Sequence, residues 1–187
     1  MSTAALTVIP TGTWAVDPAH SKVGFAVRHM GIATVRGEFN EFAGSLQLDG
    51  DLTSASAHGT VKTASVDTNQ DQRDEHLRSP DFFDASQYPE ISFQSTSITA
   101  SGDGDGALRI TGDLTLHGVT KEIVLEAEIQ GTETDPHTGN ERVGLEVTGQ
   151  LSRSDFGMSF NQALGSGNAL VSDKIKLVLD VSAIKQA

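Results

Sequence analysis

The stretch from Asp71 to Asp84, DQRDEHLRSPDFFD, crowds acids, Arg73, Arg78 and His76 together and then adds two adjacent phenylalanines. Arg73, Asp74 and His76 are residue types that bind anions or move protons. A second group, Asp17-Pro18-Ala19-His20-Ser21, contains the types of a hydrolytic triad. A nucleophile needs its base within about 2.6–3.2 Å. Neighbours entering a strand point to opposite faces, and no G-x-S-x-G elbow occurs anywhere. That segment therefore reads as a strand-entry turn capped by Asp17.

Six histidines raise the question of a metal. No H-x-H or H-E-x-x-H spacing is present, and Glu75-His76 has no second histidine on its helix. The run Ser101 to Gly106 (SGDGDG) lacks the spaced acids and terminal Glu of a calcium loop, so it reads as a turn. Asp155-Phe156-Gly157 spells a kinase tripeptide without the other parts a kinase requires. With no cysteine in the chain, thiol nucleophiles, disulfides and cysteine-bound metals are excluded.

The elements that must hold these groups are strands. Leu108, Ile110, Leu114 and Leu116 alternate with Arg109, Thr111, Asp113 and Thr115. Ile123, Leu125, Ala127 and Ile129 do the same against Glu122, Glu126, Glu128 and Gln130. Ser21 onward, Val143 to Leu151 and Ile175 to Val181 repeat the pattern. One apolar and one wet face mark antiparallel sheet. Turn signals at Asp49-Gly50-Asp51, at SGDGDG, at His117-Gly118 and at Asp135 to Asn140 separate about eight or nine strands. Their length favours a closed, strongly twisted sheet.

A single helix is expected, with Asn69 as N-cap, Gln72 three residues on and Ser79-Pro80 as its stop. Asp74 and Arg78 have the spacing of an i,i+4 pair, worth about 0.2–0.5 kcal/mol. Leu77 is too lone an apolar residue to hold the helix, so Phe82 and Phe83 must help pin it to the sheet.

Parity at strand ends is informative. Continuing Val23, Phe25 and Val27 brings His29 to the apolar face, and continuing Val147 and Leu151 brings Arg153 and Asp155 there. Polar groups at the rim of an apolar interior suit an amphiphile, with a cavity for its tail and a few partners for its head. The other reading pairs Arg153 with Asp155 at the barrel mouth.

At 187 residues the chain fits one domain, read as residues 13–187 behind a loose tail over 1–12. The net charge of −12 makes a surface that repels nucleic acid phosphates and anionic membranes. The N-terminus lacks the charged and apolar regions of a signal peptide, and no apolar run is long enough to span a bilayer. The expected location is cytoplasmic.

The segments WAVDPAHSKVGFAVRHMG, VRGEFNEFAGSL, SVDTNQDQRDEHLRSPDFFDASQYPEISFQST, GDLTLHGVTKEI and LSRSDFGMSFN resemble the YceI-like family of lipid-binding proteins, in the family's order, from Trp14 to Ala183. The resemblance implies an all-β, eight-stranded antiparallel, lipocalin-like barrel with a short helical insertion near residues 70–84. It also implies a homodimer and an elongated pore holding a polyisoprenoid or similar amphiphile, with no cofactor, metal or catalytic residue. On that reading Phe25, Val27, Phe39, Phe42, Phe83, Phe93, Leu116, Phe156 and Met158 line the pore. His29, Arg73, His76 and Arg153 meet the head group. The alternative is an enzyme acting on a lipid head group through Arg73, Asp74, His76 and Arg153. A scaffold whose dimer surface is its function is a third reading.

Overall fold

The computed structural model describes residues 11–48, 51–102 and 106–187. The proposed tail up to residue 10, the Asp49-Gly50 turn and the centre of SGDGDG lie outside the described residues. The first strand, β1, begins at Gly12.

Among the described residues, eleven β segments form one sheet that closes on itself. They are β1 (Gly12–Val16), β2 (Lys22–His29), β3 (Ala33–Phe39), β4 (Phe42–Leu48), β5 (Ser56–Lys62), β6 (Val66–Asp67), β7 (Glu90–Ala100), β8 (Ala107–Leu116), β9 (Val119–Thr134), β10 (Glu141–Ser152) and β11 (Val171–Lys185). Three barrel strands are broken. Segments β1 and β2 run along β11 on either side of a 3₁₀ turn at Pro18–His20, β5 and β6 are separated by a second 3₁₀ turn at Thr63–Ser65, and β3 and β4 by a bend at residues 40–41. Counted so, the wall is an eight-stranded antiparallel barrel, with β1 pairing to both β4 and β11 to close it.

The expected alternation is present along β8, where Leu108, Ile110, Leu114 and Leu116 are buried. Closure gives every wall strand a hydrogen-bonded neighbour on both sides over part of its length, so among the described residues no strand is a free edge. At one end Trp14, Leu48, Ile98, Leu108, Ile129, Val143 and Ala183 pack the interior solid. The residues of the triad-like segment fasten this end. Asp17 caps the 3₁₀ turn, lies 2.7 Å from His20 Nδ1 and accepts from Arg142 Nη1 at 2.8 Å. Arg142 Nε donates to Asp135. Ser21 is tied to Ser182 through two hydrogen bonds, away from His20.

Arg142, and after it His20, hold the Asp17 carboxyl down to about 2 from its usual 3.8. Its contribution is complete above about pH 4 and disappears as pH falls through about 2. Asp17→Asn is therefore expected to cost about 2 kcal/mol at neutral pH. In urea titrations the gap from wild type should narrow steadily below pH 4. A gap that stays constant down to pH 2 would refute the assignment.

One helix, α1 (Asp71–Arg78), interrupts the β pattern between β6 and β7. Its N-cap is Gln70, whose side chain accepts from the Arg73 N–H; Asn69 is the preceding left-handed residue, at φ 63°. The cap thus lies one residue later than the sequence suggests. The expected Asp74–Arg78 pair is not made. Asp74 is buried and turned to Thr68, while Arg78 reaches the carbonyls of Ala64 and Val66. Backbone acceptors on β6 and its approach outcompete a weak exposed ion pair.

Candidate ligand-binding site

Between the packed end and α1 the barrel encloses a cavity of about 290 Å³. Its lining is nearly all carbon because the inward positions of most wall strands are Val, Ile, Leu and Phe. Phe25, Val27, Phe39, Phe42, Phe83, Phe93, Leu116 and Met158 all line it. Phe156 does not. It is 1% exposed and packs among Leu114, Leu116, Leu151 and Met158, and its carbonyl meets His117 Nδ1 at 2.9 Å.

Alternating glycines decide where the cavity is full and where it is empty. A methyl added at Gly112 would come within 2.5 Å of the Phe93 ring and of the Gln94 carbonyl, and one at Gly37 would overlap the Phe25 ring. Those rings occupy the space that a side chain would take. Gly59, opposite Gly44 in the β4–β5 ladder, has only a backbone oxygen at 3.5 Å from such a methyl. Both glycines line the cavity, and at Gly59 no side chain fills the space beside the backbone.

The mouth is covered by α1 and the turn after it. Thr68 and Asp74 knot the helix to β6: the Thr68 N–H donates to Asp74 Oδ1 at 2.7 Å, and the Thr68 hydroxyl donates to the same oxygen. Arg73 then donates to the Thr68 hydroxyl and carbonyl, both at 2.7 Å. So held, α1 and its following turn direct Leu77, Phe82 and Phe83 into the cavity. Phe83 meets Phe39 edge-on at 5.6 Å between centroids, and Phe39 meets Phe25 at 5.7 Å. Asp74→Ala leaves the buried Thr68 N–H without its acceptor. It should cost about 2–4 kcal/mol in chemical denaturation and raise amide exchange in α1 first. Unchanged exchange in α1 would refute the knot.

The four residues expected at a head group separate. Arg153 is 4% exposed and lines the cavity. It donates to the carbonyls of Ser172 (2.9 Å), Met158 (2.9 Å) and Val171 (3.2 Å), with its guanidinium 6.0 Å from the Phe82 ring centre. Burial lowers its pKa from the usual value, against the attraction of Asp173. A guanidinium has five N–H donors, so two remain without an acceptor among the described residues. The anticipated Arg153–Asp155 pair does not form. The β alternation stops at Ser152, and the 3₁₀ turn Arg153–Phe156 rotates Asp155 out to solvent.

Arg73 is committed to Thr68. His76 lies outside the cavity, 2.9 Å from Asp81 and edge-on to Phe82 and Phe160. His29 is exposed at the end of β2, beyond the last cavity-lining residue of that strand, Val27. The cluster of Arg73, Asp74, His76 and Arg153 is thus not assembled around one space. Among the described residues no group of three or more His, Asp or Glu has a metal-binding arrangement.

The sequence reading did not single out Gly44 and Gly59 as pore residues. Strand parity was the available signal, since Gly44 shares its face with Phe42 and Leu46, and Gly59 with Ala57 and Val61.

Comparison with known proteins agrees with this architecture. The model of the YceI-like domain matches residues 14–183. UPF0312 protein VPA0850 of Vibrio parahaemolyticus is 41% identical over 155 residues, covering 79% of this chain and 80% of the relative. The crystal structure of the Campylobacter jejuni YCEI protein superposes with a TM-score of 0.71 at 34% identity, over 91% of this chain and 96% of the other. A polyisoprenoid binding domain from Saccharophagus degradans shares the fold, with a TM-score of 0.70 at 14% identity over 92% and 98% of the two chains. The chain belongs to the YceI-like domain family.

Proposed function

We propose that the barrel binds, stores or carries a long-chain isoprenoid or similar amphiphilic lipid without transforming it. The observation that carries this reading is an apolar cavity under an aromatic lid with one buried cation, Arg153, on its wall. Each methylene moved from water into such a space contributes about 0.8 kcal/mol, so a long tail needs few polar contacts for affinity. The two spare donors of Arg153 suit an anionic or carbonyl-bearing head. Fold-level likeness to a domain described as polyisoprenoid-binding supports the ligand class.

A volume of about 290 Å³ is at the lower edge of the roughly 300–1,000 Å³ of small-molecule pockets. A longer chain therefore displaces Leu77, Phe82 or Phe83, or threads past them. The homodimer implied by the resemblance is part of the same proposal, and light scattering tests it.

Native mass spectrometry of gently purified protein should show a bound amphiphile. Delipidated protein should rebind at least one of an isoprenoid quinone, a polyprenyl phosphate and a fatty acid. Protein that comes out empty and rejects all three defeats the proposal.

A further inference from the structure

Although the chain is strongly acidic, one outer face beside the mouth is not. Two cross-strand rows run there, one continuous across β10, β11, β2 and β3 and one broken by the bulge between Val171 and Ile175 on β11. One holds Gln150, Lys176, Ala26 and Arg36 in register. Nearer the mouth, Ser152 lies opposite Lys174, and Arg28 opposite Thr34. Arg28, Arg36, Lys174 and Lys176 are exposed, and no carboxylate sits in either row. None of the four forms an ion pair among the described residues.

Of the nearby acids, Glu38, one row further from the mouth, faces Lys22 at 4.0 Å. Asp173 accepts from a neutral donor, the Ser154 N–H, at 2.9 Å, and it and the exposed Asp155 are acids beside Lys174. Arg28 braces its hairpin by donating to the Gly31 carbonyl and the Thr34 hydroxyl, neutral acceptors that leave its charge uncompensated.

The β2–β3 hairpin adds a second feature. Its tip turns through Met30 and Gly31, at φ 55° and 72°, and presents Ile32 at 75% exposure. Among the described residues only Val124, at 44%, is another large exposed apolar side chain. This tip is at the mouth end. His29 pairs with Val171, whose carbonyl, with that of Ser172, holds Arg153.

We propose that this face is a docking surface for an anionic lipid bilayer, with Ile32 entering the interface and the barrel mouth brought to the lipid. Spread cations beside an apolar point match a bilayer, which offers a plane of negative charge over an apolar interior. An acidic protein offers only the first. At physiological salt the Debye length is about 8 Å, so the four cations, offset in part by Asp173 and Asp155, act here ahead of the acids on other faces. The proposal goes beyond the carrier reading and does not depend on it, because vesicle binding is measured whether or not the cavity is filled.

The test is flotation of the full chain with phosphatidylcholine vesicles, with and without phosphatidylglycerol. Wild type should partition onto the anionic vesicles only and release at high salt. Arg36→Gln with Lys176→Gln, both on exposed positions, should weaken partitioning about thirtyfold, near fivefold per charge. Ile32→Ser should weaken it severalfold. No partitioning of wild type, or equal partitioning of wild type and the double variant, overturns the proposal. Binding to polyglutamate without binding to anionic vesicles assigns the face to an acidic protein and also overturns it.

Discussion

Replacing Arg153 with Ala is expected to lower stability by about 3–5 kcal/mol, since it strands the carbonyls of Met158, Val171 and Ser172 at the mouth. In a domain of this size that lowers Tm by roughly 10 °C. Arg153→Lys keeps the charge but lacks the planar fork that reaches three carbonyls, so an intermediate loss is expected.

A third variant separates structure from recognition. Arg153→Gln should weaken binding of a polyprenyl phosphate by about 10–100-fold, the worth of a charge-assisted hydrogen bond in a dry site. Binding of an uncharged hydrocarbon chain of equal length should change little. Isothermal titration below the Tm of every variant reads this difference. Equal losses for both ligands would show that Arg153 only supports the rim, and the head-group role would fall.

The fold was legible because its strands obey a simple rule. In β8, β9 and β10 alternate residues are apolar or glycine over seven to nine positions, so parity identified the inner face as far as Arg153. The rule failed where the β geometry stops. Asp155 continues the parity on paper, but a 3₁₀ turn rotates it outward. His29 continues it too, yet lies past the rim.

Helix α1 was legible in place and less so in detail. Its cap moved by one residue, and its charges answer to Thr68, Ala64 and Val66, partners that local spacing does not reveal. Arg73 and His76 looked like ligand groups because the sequence shows residue types without the acceptors that occupy them. The basic face was hidden for a similar reason. Its four cations lie on three strands separated by up to 148 positions in sequence, while net charge averages over the whole surface.

Gly59 offers the sharpest test of the cavity itself. A Cβ added there meets nothing closer than a backbone oxygen at 3.5 Å, ordinary contact, and the position lines the cavity. Gly59→Leu should therefore leave the far-ultraviolet spectrum intact. It should hold or raise stability by up to about 1–2 kcal/mol through the apolar surface it buries. Occupying the space that a lipid tail needs, it should cut ligand loading at least tenfold.

Gly112→Ala supplies the opposite case. Its new methyl would press within 2.5 Å of the Gln94 carbonyl on the neighbouring strand. That oxygen cannot retreat without opening the β7–β8 ladder, so a loss of about 3 kcal/mol is expected from one carbon. Both substitutions add apolar volume at an inward glycine, and only the local filling differs. If Gly59→Leu folds normally and still carries a full load of lipid, the ligand does not occupy this cavity.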